Sequence, residues 1–207
     1  MSLALVVEGD TDLPVARKLA ADADLEVFTE MDAGGKHNID AEIESYNGAA
    51  KGAPWFVLRD LDKDAPCAGN LLKRIDFHPS RWMCFRLVVR ELESWLLADR
   101  EGLATFFKVN PQRLLGNPDD EIDPTETLVN LCRTSGSRRV REGMVPRLGS
   151  VTTVGPMYEA LIIEFGTGPW SLGRASIRSP SLHRARQAIR KLGSKWNAYA
   201  RGAGHGR

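Results

Sequence analysis

Sulfur and tyrosine are scarce in this chain, and no long hydrophobic run interrupts it. Three cysteines (Cys67, Cys84, Cys132) are odd in number and far apart, with no CxxC pair. That pattern speaks against a disulfide framework or a zinc module and predicts reduced core thiols in a cytoplasmic protein. His78 and His183 have no partner at metal-ligand spacing. No apolar stretch approaches the roughly 20 residues needed to cross a bilayer, so no membrane association is expected. The first residues also lack the basic and apolar segments of a secretory signal.

What is present is an ordinary globular composition, 43% hydrophobic and 27% charged over 207 residues. This is enough for one domain, or one domain with a sizeable appendage. The net charge of +1 hides an asymmetry. From Arg133 to Arg207 there are 14 Lys/Arg against 3 Asp/Glu; the remaining 132 residues hold 14 against 24. An acidic front attracts cations and a basic back attracts phosphates, although two solvated surfaces of opposite sign would look the same.

Apolar runs at Leu3–Val7, Leu25–Phe28, Trp55–Leu58 and Trp82–Val89 read as strands. Helical patterns follow each: one opened by Thr11 or Asp12 with Pro14 in its first turn, one from about Ile39 to Tyr46, one carrying Leu71, Leu72 and Ile75, and "RELESWLLAD". Such alternation predicts an α/β fold, a parallel sheet flanked by helices, over residues 1–99. Residues 100–207 read as a mostly helical, basic extension packed on that core. Within it, "LGNPDDEIDPTET" reads as an exposed acidic loop leading into a helix at Pro124 or Thr125. "RTSGSRRVREGMVPRLGS" reads as a mobile basic segment. A long helix capped by Ser179 or Ser181 carries Leu182, Ala185, Ile189, Leu192, Trp196 and Tyr199 on one face, with Gly193 weakening it. Its polar face, with Arg184, Arg186, Arg190, Lys191 and Lys195, suits a phosphate backbone or solvent. The tail "RGAGHGR" is expected to be disordered. Trp55, Trp82 and Trp95 are expected in the core.

Two of the strands end on carboxylates. Glu8-Gly9 closes the first, and Asp60-Leu61-Asp62 the third. Ligand crevices of parallel sheets lie at the C-terminal strand ends. Residues i and i+2 of an extended segment project the same way, so Asp60 and Asp62 can aim at one spot, and Gly9 lets the backbone turn sharply beside Glu8. Three carboxylates so placed repel unless a cation sits among them, and hard oxygen donors favour Mg²⁺ or Mn²⁺.

"VVEGDTD" followed by "DLD" resembles the Toprim domain of primases, topoisomerases and OLD-type nucleases, which places the same residue pairs after its first and third strands. The likeness spans residues 3–99. More narrowly, "EGDTD", "GGKHN", "RDLDKD", "RELESWLLAD" and "RSPSL" resemble small bacterial Toprim-related proteins encoded beside ATPases. The resemblance implies Glu8 as general acid/base or metal ligand, and Asp60 and Asp62 as holders of the divalent ion. Glu91 and Glu93 could join them if the fourth strand runs on through Glu93. If a helix has begun, the two diverge, and they serve as helix-start carboxylates or pair with Arg90. Lys36, Arg59 and Arg90 could meet substrate phosphates, or merely balance the acids. Asp64 is a further ligand or a helix cap. Asp10 and Asp12 also suit capping. No tyrosine lies within the motifs to form a covalent link, so hydrolysis by water is expected. The implied activity is metal-dependent phosphodiester hydrolysis of nucleic acid, with an ATPase as a possible partner. The alternative is a non-catalytic subunit of such an ATPase.

Overall fold

The computed structural model describes residues 2–114 and 116–203. The chain divides into two compact units: Met1–Val88 together with His183–Arg207, and Val89–Leu182.

The first unit is built on four parallel strands: β1 (Ser2–Val7), β2 (Glu26–Asp32), β3 (Trp55–Asp60) and β4 (Met83–Val88), in the order β2-β1-β3-β4. Helices α1 (Leu13–Asp22), α2 (Lys36–Ala49) and α3 (Ala68–Ile75) connect them, as the alternating pattern predicts. Leu3 to Val7 and Phe56 to Leu58 are buried on both sides of the sheet, which is why these strands read as unbroken apolar runs. The chain leaves β1 toward β2 on one side and returns to β3 on the other. The carboxyl ends of β1 and β3 therefore flank the switch point where open parallel sheets bind ligands.

β2 differs from the expected Leu25–Phe28. It runs on to Asp32 as an edge strand whose residues alternate between exposed and half-buried, and Phe28 is 58% exposed. The polar Thr29, Glu30 and Asp32 belong to a strand with one wet face, not to a loop. α2 likewise starts at Lys36, earlier than expected, after two glycines with positive φ (Gly34, +67°; Gly35, +120°). "GGKHN" is thus a turn feeding directly into a helix. Among the tryptophans, Trp82 and Trp95 are buried, whereas Trp55 is half-buried and stacks on Tyr46 at 5.5 Å. Cys84 and Cys132 are core thiols, but Cys67 is exposed just before α3.

α10 (Pro180–Ala203) is capped by Ser179, whose Oγ accepts from Leu182 N at 3.1 Å. The helix continues unbroken to Ala203, so part of the tail expected to be disordered is helical; residues 204–207 lie outside those described. Gly193 does not interrupt it. A Cβ there would sit 2.2 Å from the carbonyl oxygen of Ala23, so the glycine marks where α10 runs against the end of α1.

Beside that contact, Asp22 accepts from Arg186 (Nε 2.9 Å, Nη2 2.7 Å) and Arg190 (Nε 2.7 Å). The Arg186 bonds are the main reason its carboxyl sits below the usual aspartate range; Arg190 adds to them and burial opposes both. A depressed acid contributes stability above its unfolded-state pKa, and that contribution disappears as pH falls through the folded value. Asp22→Asn is expected to lose about 1–2 kcal/mol at pH 7. The gap from wild type should begin to close as pH drops below about 4 and vanish only once pH passes below the lowered folded value, measured by urea unfolding across pH.

The second unit is helical: α4 (Leu92–Ala98), α5 (Arg100–Phe107), α6 (Pro124–Arg133), α7 (Arg138–Met144), α8 (Tyr158–Thr167) and α9 (Leu172–Arg178), with the start of α10. Every residue of α4 is buried. Asp99, also buried, accepts from Ser171 N (2.7 Å) and holds Arg174 through both carboxylate oxygens. The segment expected to be mobile contains α7, capped by Ser137 and burying Val140 and Met144. The expected acidic loop is partly tied down: Asp119 accepts from Ser179 Oγ and Ser181 N, each at 2.6 Å.

Candidate metal and phosphate site at the ends of β1 and β3

β1 stops at Val7 because the next backbone groups turn away to bond the loop before α2. Ala33 N donates to Val7 O at 3.0 Å and Gly35 N to Glu8 O at 2.9 Å. This leaves the Glu8 side chain at the sheet's end, where its Oε2 accepts from Asp60 N at 3.2 Å. Two acidic positions 52 residues apart in sequence thus meet directly. Burial is the largest influence on Glu8 and raises its pKa, and the charge of Asp62 adds to this. The Asp60 N–H, Arg59 and Lys36 oppose the rise without cancelling it.

The path from Asp60 to Asp62 is not extended. β3 ends at Asp60, Leu61 is fully buried, and Asp62 takes a left-handed conformation with φ of +47°. The i, i+2 reasoning therefore does not orient this pair. A non-glycine residue at positive φ costs free energy, least for Asn and Asp, and such positions gather at functional sites. Gly9 also differs from expectation. Its φ of −152° is ordinary extended backbone, and a Cβ added there would meet nothing within 4 Å. Neither conformation nor packing within the described residues requires a glycine. Asp12 accepts from Gly9 N at 3.2 Å, which closes the turn.

Lys36, in the first turn of α2, places its Nζ 2.6 Å from Asp62 Oδ2 and 2.9 Å from Asp64 Oδ1. Burial alone would lower its pKa, but those two bonds outweigh it and hold the ammonium above the usual lysine range. Arg59 is 2% exposed. Its Nε and Nη2 grip both oxygens of Asp40 at 2.7 Å, Nη2 also reaches Asp64 Oδ2 at 2.8 Å, and Nη1 donates to Asp60 O at 2.6 Å. Every nitrogen of this guanidinium serves the protein itself, so Arg59 positions the end of β3. Asp64 is drawn below the usual aspartate range: burial opposes this, but the bonds from Lys36 and Arg59 prevail. It is neither a helix cap nor a lone ligand but the bridge between two cations.

Asp40 lies one helical turn beyond Lys36, a relation the apolar pattern does not show because it marks the helix only from about Ile39. Arg90, Glu91 and Glu93 belong to the second unit. Glu91 is the N-terminal cap residue of α4 and Glu93 lies in its first turn, so the fourth strand does not run through them. Glu91 accepts from Thr125 Oγ1 at 2.9 Å, Glu93 from the buried Tyr158 hydroxyl at 2.7 Å, and Arg90 N donates to Ser94 Oγ at 3.0 Å.

Among the described residues no group of three or more His, Cys, Asp or Glu side chains is gathered for a metal. The donors at the strand ends are nonetheless all carboxylate oxygens, the chemistry that suits Mg²⁺ and Mn²⁺. The open space at Gly9 leaves room beside them.

No protein-family model matches the chain, and none of the curated proteins does. Among solved structures the chain is similar to the C-terminal region of the Burkholderia pseudomallei OLD protein. Identity is 16% and the TM-score 0.44, with 92% of this chain and 98% of that chain covered.

Proposed function

We propose that Glu8, Asp60 and Asp62 hold Mg²⁺ or Mn²⁺ and that the protein hydrolyses phosphodiester bonds in nucleic acid. The observation that carries this is the 3.2 Å contact of Glu8 Oε2 with Asp60 N, at the switch point of a parallel sheet. A bound dication would polarise a phosphodiester oxygen and stabilise charge on the leaving oxygen.

The chain's own residues do the rest. The Glu8 carboxylate, set beside the Asp60 N–H at the strand end, can serve as metal ligand or as the base that takes a proton from water. Lys36 neutralises Asp62 and Asp64 before substrate arrives, and its ammonium is the cation beside the cluster that can turn to a phosphate. Arg59 fixes the backbone of Asp60 and so the spacing between the two strand ends.

The test is nicking of supercoiled plasmid and cleavage of single strands with Mg²⁺ or Mn²⁺. Glu8→Gln and Asp60→Asn are expected to lower the rate at least about 100-fold while leaving far-UV circular dichroism unchanged. Cleavage that persists in both variants overturns the assignment. An inactive wild type that also binds no Mg²⁺ by calorimetry would favour the non-catalytic subunit of an ATPase.

A further inference from the structure

A groove of about 440 Å³ in the first unit, between α3, β4 and α10, has no part in the chemistry above. Its floor is apolar: Met83, Cys84 and Phe85 of the edge strand β4, with Leu192 of α10, all buried. At its lip stands Leu72, 43% exposed. Phe77 meets Phe85 edge to face at 5.6 Å, so ring surface lines the opening.

The charged residues of the groove are all of one sign. Arg81, Arg86, Lys191 and Lys195 line it, and among the described residues no carboxylate does. Arg81 lies over the rings of Trp82 and Tyr199 at 4.4 and 4.8 Å, which holds its charge in place. Arg86 has its Nε buried without a hydrogen-bond partner, a costly arrangement unless something else accepts from that side chain. On α10, Arg184, Ala188, Lys191 and Lys195 follow one another at i, i+4, i+7 and i+11, which is a single face. Two further arginines of the helix, Arg186 and Arg190, are held by Asp22. This stripe borders the groove.

We propose that the groove binds single-stranded nucleic acid, its phosphates on Lys191, Lys195 and Arg86 and an unstacked base against Phe77 and Leu72. Cations flanking exposed aromatic surface is how sequence-tolerant single-strand sites are built. A duplex keeps its bases stacked inside and offers only phosphates, so it forfeits the apolar part of the contact. The inference rests on the nucleic-acid reading above and adds where the strand is held.

Fluorescence anisotropy with a labelled short oligodeoxythymidylate, in EDTA so that cleavage cannot contribute, tests it. Lys191→Glu/Lys195→Glu is expected to weaken binding at least tenfold and to flatten the dependence of log K on log salt by about 1.4, the value for two lost single-strand phosphate contacts. Phe77→Ser should weaken binding severalfold with the salt slope unchanged. Lys51→Glu, an exposed charge reversal off the groove, should bind as wild type. Wild-type affinity in the double reversal overturns the proposal. So does equal binding of a duplex with no effect of Phe77→Ser, or preferential displacement by an acidic peptide. If wild type fails to cleave but the binding pattern holds, the catalytic reading falls and the groove stands. If wild type cleaves but the double reversal binds normally, the groove falls alone.

Discussion

Arg59→Leu is expected to destabilise the protein by about 3 kcal/mol in urea unfolding at pH 7. Three acceptors depend on this one buried guanidinium: the Asp40 carboxylate, the Asp64 carboxylate and the Asp60 carbonyl. Leucine fills part of the volume and takes this donor from all three, although Asp64 keeps its bond from Lys36. Asp40 and Asp64 are partly solvated, with side chains 34% and 24% exposed, so water recovers some of the loss. That keeps the figure at the low end of what breaking a buried pair costs. Arg59→Lys should recover only a minor part. One ammonium cannot reproduce a two-pronged grip on Asp40 together with a bond to a carbonyl on the other side. The double variant Arg59→Leu/Asp40→Leu should be less damaged than the sum of the two single changes, because neither partner is then left alone. A loss below about 1 kcal/mol would show that water replaces the guanidinium without difficulty.

Gly193→Ala should also cost about 3 kcal/mol, although alanine is the better helix former by about 1 kcal/mol. The added methyl would lie 2.2 Å from the Ala23 carbonyl oxygen and 3.3 Å from its carbon. Backbone cannot swing aside like the end of a flexible side chain, so α10 must move as a body. The same movement pulls Arg186 and Arg190 away from Asp22, which couples the two losses. Gly48→Ala is the matched control. It lies within α2, and its added Cβ would meet nothing within 4 Å, so there the propensity gain should show as a small increase in stability.

The strand ends that carry the candidate site were legible because apolar runs stop abruptly on acids. A hydrophobic strand of five residues leaves little choice of register, and Glu8 and Asp60 fall where β1 and β3 finish. The rest was hidden for separate reasons. β2 lies at an edge and alternates, so Thr29 and Glu30 look like loop. α2 begins after a glycine that offers no side-chain cap, which displaced its start and concealed Lys36 and Asp40 as neighbours. α7 carries three arginines and a glycine, and its helix depends on packing: a Cβ at Gly143 would come within 3.0 Å of both Leu161 and Met157. Gly193 is poor for an isolated helix and necessary for a packed one. The left-handed turn at Asp62 has no marker at all, since aspartate is common in ordinary loops.

The first unit is not continuous along the chain: its last helix is drawn from residues beyond 182, after the whole of the second unit has intervened. During synthesis, residues 89–182 are therefore all present while the earlier-made sheet still waits for its closing helix. Until then the end of α1, with Asp22 and the Ala23 carbonyl, lies bare to solvent and to other chains. Of these two units, the one begun earlier along the chain is the one completed later.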